Sequence, residues 1–413
     1  MFWNILLIVA GLGVLCSTVF LGLAIIAAWR FRARRFNPSD ERLPGISVLK
    51  PLHGYENGLD FNLESFFLQD YEQYEIIFGA RNENDPALNV VDELRNRYPH
   101  VRVKVVLSGE PGYPNAKVYS LEHMIAQADY DYLVISDSDV RVGSDYLAEV
   151  TRPLMSSDVG MVTCLYRGLP TGGLWSRLEA LGMSVEMTSG VVIADMLEGT
   201  NFALGPTMAT RKDCLDRIGG IGVLGGYCAD DFVLGRKIHD AGYRVLFSHY
   251  VIDHVVVNTS FRESFRHQVR WMRSTRYSRP SGHLGTGLTF AMPFAVLGLL
   301  SALGSGDDAG LVVFAAGACN RFLQAAAIGW GVVRDPRVKR HWWLYPAHDL
   351  IGFAAWCKSF TGPAIVWRGQ LYKLELGGKM QPLHQVEEEA VMSGSSYRSS
   401  SRIAVQAEPD IRD

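Results

Sequence analysis

An α/β domain set between membrane-spanning helices is the fold class that the sequence predicts, and three observations predict it. Between Pro44 and about Arg279, short β-rich runs alternate with amphipathic stretches, the pattern of a mostly parallel sheet covered by helices. The first 29 residues carry no charged side chain. After Pro280 the composition turns apolar again, over 288–303, 311–333 and 344–367.

The elements follow in chain order. Residues 5–29 are long enough, as a helix, to cross a hydrocarbon layer of about 30 Å. The basic residues Arg30, Arg32, Arg34 and Arg35 follow this run instead of preceding it, which argues against a cleaved signal peptide. By the positive-inside rule, the N-terminus faces outward and the chain after Arg30 starts in the cytoplasm. Strands are expected at 46–49, 74–78, 101–107 and 132–136, with helices at 58–69, 86–97 and 116–128, each beginning near Pro, Asn or Asp. The three later apolar stretches are unequal: the first is short, the second holds Asn320 and Arg321, and the third holds His348, Asp349 and Lys358. Re-entrant or interfacial placement is therefore open for some of them. Acidic 305–308 fits the outside and basic 334–340 the inside, but Arg368 and Lys373 fall where three full spans would put them outside. The expected units are an anchor at 1–35, a cytosolic domain at 44–279, membrane or re-entrant helices at 284–375, and a disordered Ser-rich tail at 382–413.

A net charge of −3 gives no basic face for a nucleic-acid partner. The six cysteines show no C-x-x-C or similar spacing and read as reduced packing residues.

Chemistry concentrates after strands. The apolar run from Tyr132 leads straight into Asp137 and Asp139, which places two carboxylates beyond the carboxyl end of a strand, where α/β sheets bind ligands. Hard divalent cations take oxygen ligands and a diphosphate completes the set, so this pair fits a Mg2+ or Mn2+ clamp. A solvated turn or helix cap has the same spacing. Asp85, in Asn84-Asp85-Pro86, reaches the same sheet edge or simply starts a helix. Asp230 and Asp231 follow a Gly-rich loop and open a helix, so capping accounts for one of them, and the other is placed for general base work. Arg262, Arg266, Arg270 and Arg273 recur at helical spacing, as a lipid-headgroup-facing stripe does. Within it, Arg270 suits a diphosphate and Trp271 a sugar or lipid surface. His254 reads first as a core or loop histidine and second as a metal or phosphate ligand.

Together Lys50-Pro-Leu-His-Gly, Asn84-Asp85-Pro86-Ala, Asn115-Ala-Lys117, Ser136-Asp137-Ser-Asp139, Ala229-Asp230-Asp231 and Arg270-Trp271 stand in the order and approximate spacing of the ceramide glucosyltransferase family, which the chain resembles over about residues 1–280. The order is also similar to that of bacterial hopanoid-associated glycosyltransferases. The resemblance implies a GT-A fold, a UDP-sugar donor (glucose or N-acetylglucosamine type), a lipid acceptor such as ceramide or a hopanoid polyol, and inversion at the anomeric carbon. It puts Asp85, Lys117, Asp137, Asp139 and Arg270 on the donor side, a Mg2+ or Mn2+ ion on Asp137 and Asp139, and catalysis on Asp231, Arg270 and Trp271, with Asp231 as base. Where the family has Gln or Arg three residues before the arginine, this chain has His267, with Gln268 one place later. The implied setting is an integral protein of a bacterial inner membrane with a cytoplasmic active site. Three other readings share these residues: a processive polysaccharide synthase, which needs an export channel, a nucleotidyltransferase, which could use the same aspartate pair with two metals, and a catalytically inactive membrane scaffold, which would not need every acidic position filled.

Overall fold

The computed structural model describes residues 1–34, 42–367 and 369–383. Arg35, Arg368 and nearly all of the tail expected to be disordered lie outside the described residues.

The first helix, Phe2–Ala33, extends the expected span in both directions. Its apolar side chains face outward along most of its length, while a stripe of small residues including Ala10, Gly13 and Ser17 is buried. Against that stripe pack the helix Met292–Ser305 and the helix Ala309–Gln324, which a π turn extends through Ala325–Trp330. Ser301 donates to the Trp3 carbonyl at 2.9 Å. At the other end Ala24, Ala27, Ala28 and Phe31 share a cluster with Ala325, Ile328, Val332 and Val333. The two later helices thus form an antiparallel hairpin whose 305–308 turn lies beside the start of the first helix.

The bundle is locked by charge. Arg321 and Asp349 are both essentially inaccessible and paired at 2.8 Å. Arg321 also donates to Ser17 Oγ at 2.7 Å, and Asp349 accepts from the amides of Ala291 and Met292. Removing one partner of a buried ion pair strands the other charge, at a cost of about 3–5 kcal/mol. Asp349→Ala is therefore expected to lower the melting temperature sharply in detergent, and more than Arg321→Met combined with Asp349→Leu. A single variant that melts with the wild type would show that the pair does not hold the bundle.

The α/β domain holds an eight-stranded mixed sheet: β1 (Ile46–Pro51), β2 (Tyr74–Ala80), β3 (Arg102–Leu107), β4 (Tyr132–Ile135), β5 (Val140–Arg141), β6 (Val159–Pro170), β7 (Met208–Arg211) and β8 (Arg244–Val256), in the order β3-β2-β1-β4-β7-β6-β8-β5. The four parallel strands β1 to β4 are those read from the sequence, as are the helices Leu59–Phe67, Ala87–Arg97 and Ala116–Ala126. β7 runs antiparallel to both β4 and β6, so the second half of the sheet departs from the parallel pattern. With β1 in register with β2 and β4, the chain leaves all of these strands along one edge, at Leu52, Arg81, Ser108 and Ser136.

Two segments differ from the sequence reading. Leu174–Glu198 is a continuous helical stretch with a π turn at Met183–Met187, long and apolar enough to cross a membrane yet 67% buried within the protein. Its Asp195 pairs with Arg34 at 2.7 Å, which ties it to the basic end of the first helix. The third apolar stretch is helical only over Tyr345–Ser359, which lies along the helix Phe261–Ser278 and against Leu174–Gly182; a Cβ at Gly182 would collide with the His348 ring at 2.2 Å. The chain then enters a small antiparallel sheet, β9 (Ala364–Trp367), β10 (Gln370–Leu374) and β11 (Met380–Pro382). Met380 N donates to Gly226 O at 2.9 Å, so Lys373 lies on the side of the α/β domain, and the conflict posed by three full C-terminal spans disappears.

Candidate active site

The loops after β1, β2 and β3 and the start of the helix Ala116–Ala126 enclose a cleft lined by Pro51, His53, Arg81, Ser108, Gly109 and Lys117. Asp85 flanks it. Both carboxylate oxygens accept from Gly54 N, at 3.0 and 3.1 Å, and Oδ1 also accepts from Ala87 N at 3.0 Å. Asp85 therefore starts its helix and also pins the Lys50-Pro-Leu-His-Gly loop, so the two readings of this residue are compatible.

Asn115 caps the next helix by accepting from Val118 N at 3.1 Å, and its amide donates to Tyr227 O at 2.9 Å. That cap aims Lys117 at Asp137 Oδ1, 2.7 Å away, and at Asp230 Oδ2, 3.6 Å away. Burial works against the charge of Lys117, but Asp137, Asp230 and Asp231 outweigh it and hold the amine well above the ordinary lysine range. Beneath the same loop, the fully buried Lys50 donates to Asp137 O and to Ser136 Oγ and lies 3.7 Å from the centre of the Phe66 ring. Burial pulls its amine down to about 7, although Asp137 and Asp139 oppose that shift.

Asp139 is delivered by β5, which begins at the next residue and pairs Val140 with His254 of β8. His254 Nε2 consequently lies 3.4 Å from Asp139 Oδ2. Asp139 Oδ1 and His254 Nδ1 are buried and have no hydrogen-bond partner among the described residues. Among those residues no group of three or more His, Cys, Asp or Glu is arranged to hold a metal ion by itself. Mg2+ is commonly held by one or two carboxylates plus substrate phosphates, and Asp137 and Asp139, with one orphaned oxygen, offer that donor set.

Asp231 stands across from Asp137. A Cβ at Gly205 would lie 3.1 Å from Asp231 Oδ2, a tight contact, and 3.7 Å from Asp137 Oδ2, so this position sits between the two carboxylates. Gly205 N donates to Asp231 Oδ2 at 2.7 Å and Phe232 N to Oδ1 at 2.8 Å. Burial and the neighbouring Asp230 push the Asp231 carboxyl up to about 6, against the pull of Lys117 and these two amides. Asp230 is engaged differently, by Lys117 and by Asn115 Nδ2 at 3.4 Å. Of the pair, Asp231 is the less buried.

The helix Phe261–Ser278 begins with a full capping box between Ser260 and Glu263. Burial depresses the Arg270 guanidinium, while Cys228, Glu179 and Asp139 act in the opposite sense. No hydrogen bond or ion pair engages that guanidinium among the described residues. Trp271 packs against the main core. His267 Nδ1 lies 2.5 Å from Glu179 Oε1, to which it must donate, and its ring sits 4.1 Å from that of Trp271. Glu179 is buried and also accepts from Asn258 and Ser264. His267, at the start of the motif, thus packs against Trp271, while Gln268 donates to Ser264. The basic stripe is not simply a lipid-facing surface, since Arg273 and Arg276 donate to carbonyls of the segment 359–364.

The structure therefore gathers Lys117, Asp137, Asp139, Asp231 and Arg270 at one edge of the sheet, with Asp85 at its flank and Trp271 behind Arg270. Sequence reasoning missed Tyr166, Gly205 and Glu179 and set His254 aside. Tyr166 is buried with its ring 5.3 Å from that of His254, and Asp231, Asp139 and Asp137 all help burial raise its hydroxyl.

The mixed sheet with its helices, beside an N-terminal helix long and apolar enough to cross a membrane, is an architecture of the GT-A glycosyltransferase class. Residues 10–380 match the profile of glycosyl transferase family 21, and the chain belongs to that family. It is similar to ceramide glucosyltransferase 3 of Caenorhabditis elegans, 29% identical over 53% of this chain and 48% of that one. Ceramide glucosyltransferase 1 of the same organism is 25% identical over 83% of this chain and 74% of that one. The chain's match thus spans about half the length of the first of these relatives and about three quarters of the second. Among solved structures, a mannosyltransferase from Pyrobaculum calidifontis in complex with GDP-mannose and Mn2+ superposes with a TM-score of 0.55 at 18% identity, covering 86% of this chain and 99% of that one, and shares the fold.

Proposed function

We propose that this chain is an inverting transferase that moves a hexose-type sugar from a UDP-sugar to the hydroxyl of a membrane lipid, ceramide or a hopanoid-type polyol. The observation that carries the reading is the half-buried Asp231 carboxyl, raised to about 6 and set across Gly205 from Asp137. A base of that strength near the working pH, opposite the donor carboxylates, suits attack by a hydroxyl on the face away from the leaving group.

The cleft lined by Arg81, Ser108 and Lys117 receives the nucleotide. Asp137 and Asp139, with His254 behind them, would hold a Mg2+ or Mn2+ ion, whose chemistry there is to neutralise charge on the diphosphate. Lys117 and Arg270 meet the negative charge that grows on the leaving nucleoside diphosphate. Asp231 takes the proton of the attacking lipid hydroxyl as the new glycosidic bond forms and the bond to the diphosphate breaks. Inversion needs no enzyme nucleophile, and Trp271, braced by His267, offers an apolar face to sugar or lipid.

The decisive experiment is to incubate membranes containing the protein with a panel of UDP-sugars and extract the lipid product. A labelled glycolipid formed from one donor supports the reading. Polymer in place of glycolipid, or no transfer from any UDP-sugar to lipid, overturns it.

By the positive-inside rule, Arg30, Arg32 and Arg34 at the end of the first helix support an active site on the cytoplasmic side. A cysteine introduced at the exposed Asp92 is expected to resist an impermeant thiol reagent added to intact cells and to react after lysis. Labelling in intact cells would reverse the orientation.

A further inference from the structure

The small C-terminal sheet and the segment leading into it touch three of the segments that carry candidate site residues. Its β11 side docks on the loop before Asp230 and Asp231: Cys228 N donates to Gly378 O at 3.0 Å, and Met380 N to Gly226 O at 2.9 Å. On β10, Tyr372 Oη donates to Pro114 O at 3.4 Å, just ahead of Asn115 and Lys117. Gly377 N donates to Tyr277 O at 3.0 Å, and Arg273 and Arg276 grip the carbonyls of Thr361, Ala364 and Ser359, so the helix of Arg270 and Trp271 is bound as well. An apolar cluster of Ile365, Tyr372, Leu374 and Met380 closes over Cys228 and Tyr277.

Nothing in β9–β11 supplies a group to the chemistry described above; it holds one side of the Asp231 loop, while Asn115 holds the other, its N–H donating to Gly225 O at 2.8 Å and its side-chain amide to Tyr227 O at 2.9 Å. The Gly-rich stretch before it includes Gly219 and Gly220, both at positive φ, and glycine backbones are conformationally permissive. We propose that β9–β11 is a positioning clamp for the transfer reaction, with Met380 as the residue that sets the Gly226–Cys228 strand and through it the aim of Asp231. This rests on the transferase reading above. Reactions that depend on alignment lose about 10²-fold for a displacement near 1 Å, so the clamp acts on turnover more than on donor binding.

The test uses the full chain. Met380→Pro deletes the N–H that bonds Gly226 O, whereas Met380→Leu keeps both that N–H and an apolar side chain. Met380→Pro is expected to bind UDP with wild-type stoichiometry and affinity while turnover falls about 10²-fold, and Met380→Leu to turn over like the wild type. Turnover of Met380→Pro within about twofold of wild type, or donor affinity falling in step with turnover, overturns the clamp. A second variant covers the case in which Met380→Pro fails to fold. Tyr227 and Lys379 face each other in an antiparallel bridge, flanked by the two bonds above in the non-hydrogen-bonded arrangement, whose Cα atoms are about 4.5 Å apart. Tyr227→Cys with Lys379→Cys, in a Cys228→Ser background, is expected to be as active oxidised as reduced. Activity that vanishes on oxidation and returns with reductant would mean that the sheet must open, and the static clamp would be wrong. If the wild type itself transfers no sugar, the functional reading fails and not the clamp.

Discussion

Asp231→Asn is expected to lower turnover by about 10²- to 10⁴-fold, the range for loss of a general base, with affinity for the nucleotide sugar little changed. The amide keeps the shape, and one oxygen can still accept from Gly205 or Phe232 N, but it cannot take a proton. Asp230→Asn is expected to cost less turnover. Because Asp230 is engaged with Lys117 and Asn115, its loss should register on donor binding. The pH dependence has a definite sign. The Asp231 carboxyl is raised to about 6, so it is protonated and useless as a base below that value, and kcat should climb as pH rises through about 6. In Asp231→Asn that acid limb should vanish. Donor binding and turnover measured on both folded variants across this range decide the assignment: a larger turnover loss at Asp230, or an acid limb that survives in Asp231→Asn, would move the base elsewhere.

Asp137→Ala and Asp139→Ala are expected to abolish measurable transfer at ordinary donor concentrations, because each removes oxygens that would hold the proposed cation. The two should differ in detail. Asp137→Ala also frees Lys117 from its 2.7 Å partner, leaving a buried ammonium with Asp230 as its nearest counter-charge. Asp139→Ala leaves that pair intact but removes the neighbour of His254. Asp139→Asn keeps one oxygen at the site, so raised Mn2+ should recover its activity better than that of Asp231→Asn. Calorimetric titration of UDP with and without Mn2+ provides a readout independent of turnover. Full transfer in the presence of a strong chelator would remove the metal from the proposal altogether.

Local rules made the first half of the α/β domain legible. The strands from Ile46 to Ile135 alternate with well-started helices, and the carboxylates follow directly on strand ends, so position along the chain was enough to place them. The second half did not yield in this way. β6 is buried over its first eight residues and shows no alternation to read. Leu174–Glu198 was hidden as a long helix because Glu179, Glu186 and Asp195 interrupt its apolar pattern. Those charges are acceptable only because His267, His348 and Arg34, from distant parts of the chain, come to meet them. Likewise β9 was absorbed into the third apolar stretch and β10 into the membrane unit expected at 284–375, yet Ile365, Tyr372, Leu374 and Met380 cover Cys228 and Tyr277.

The sequence by itself determined the membrane anchor, the α/β class, the order of the acidic motifs and the family they resemble, because these depend on hydrophobic length, periodicity and the spacing of neighbouring residues. Only the tertiary structure decided which aspartate of the pair is the less buried, that His254 and Tyr166 lie on the side of Asp139, that Gly205 sits between Asp231 and Asp137, and that the C-terminal sheet contacts the loop before Asp230 and the helix of Arg270. Each of these rests on strand pairing or packing between residues far apart in the chain. Such contacts form only when the closed fold has already compensated for the entropy of bringing distant segments together, and no local pattern records them.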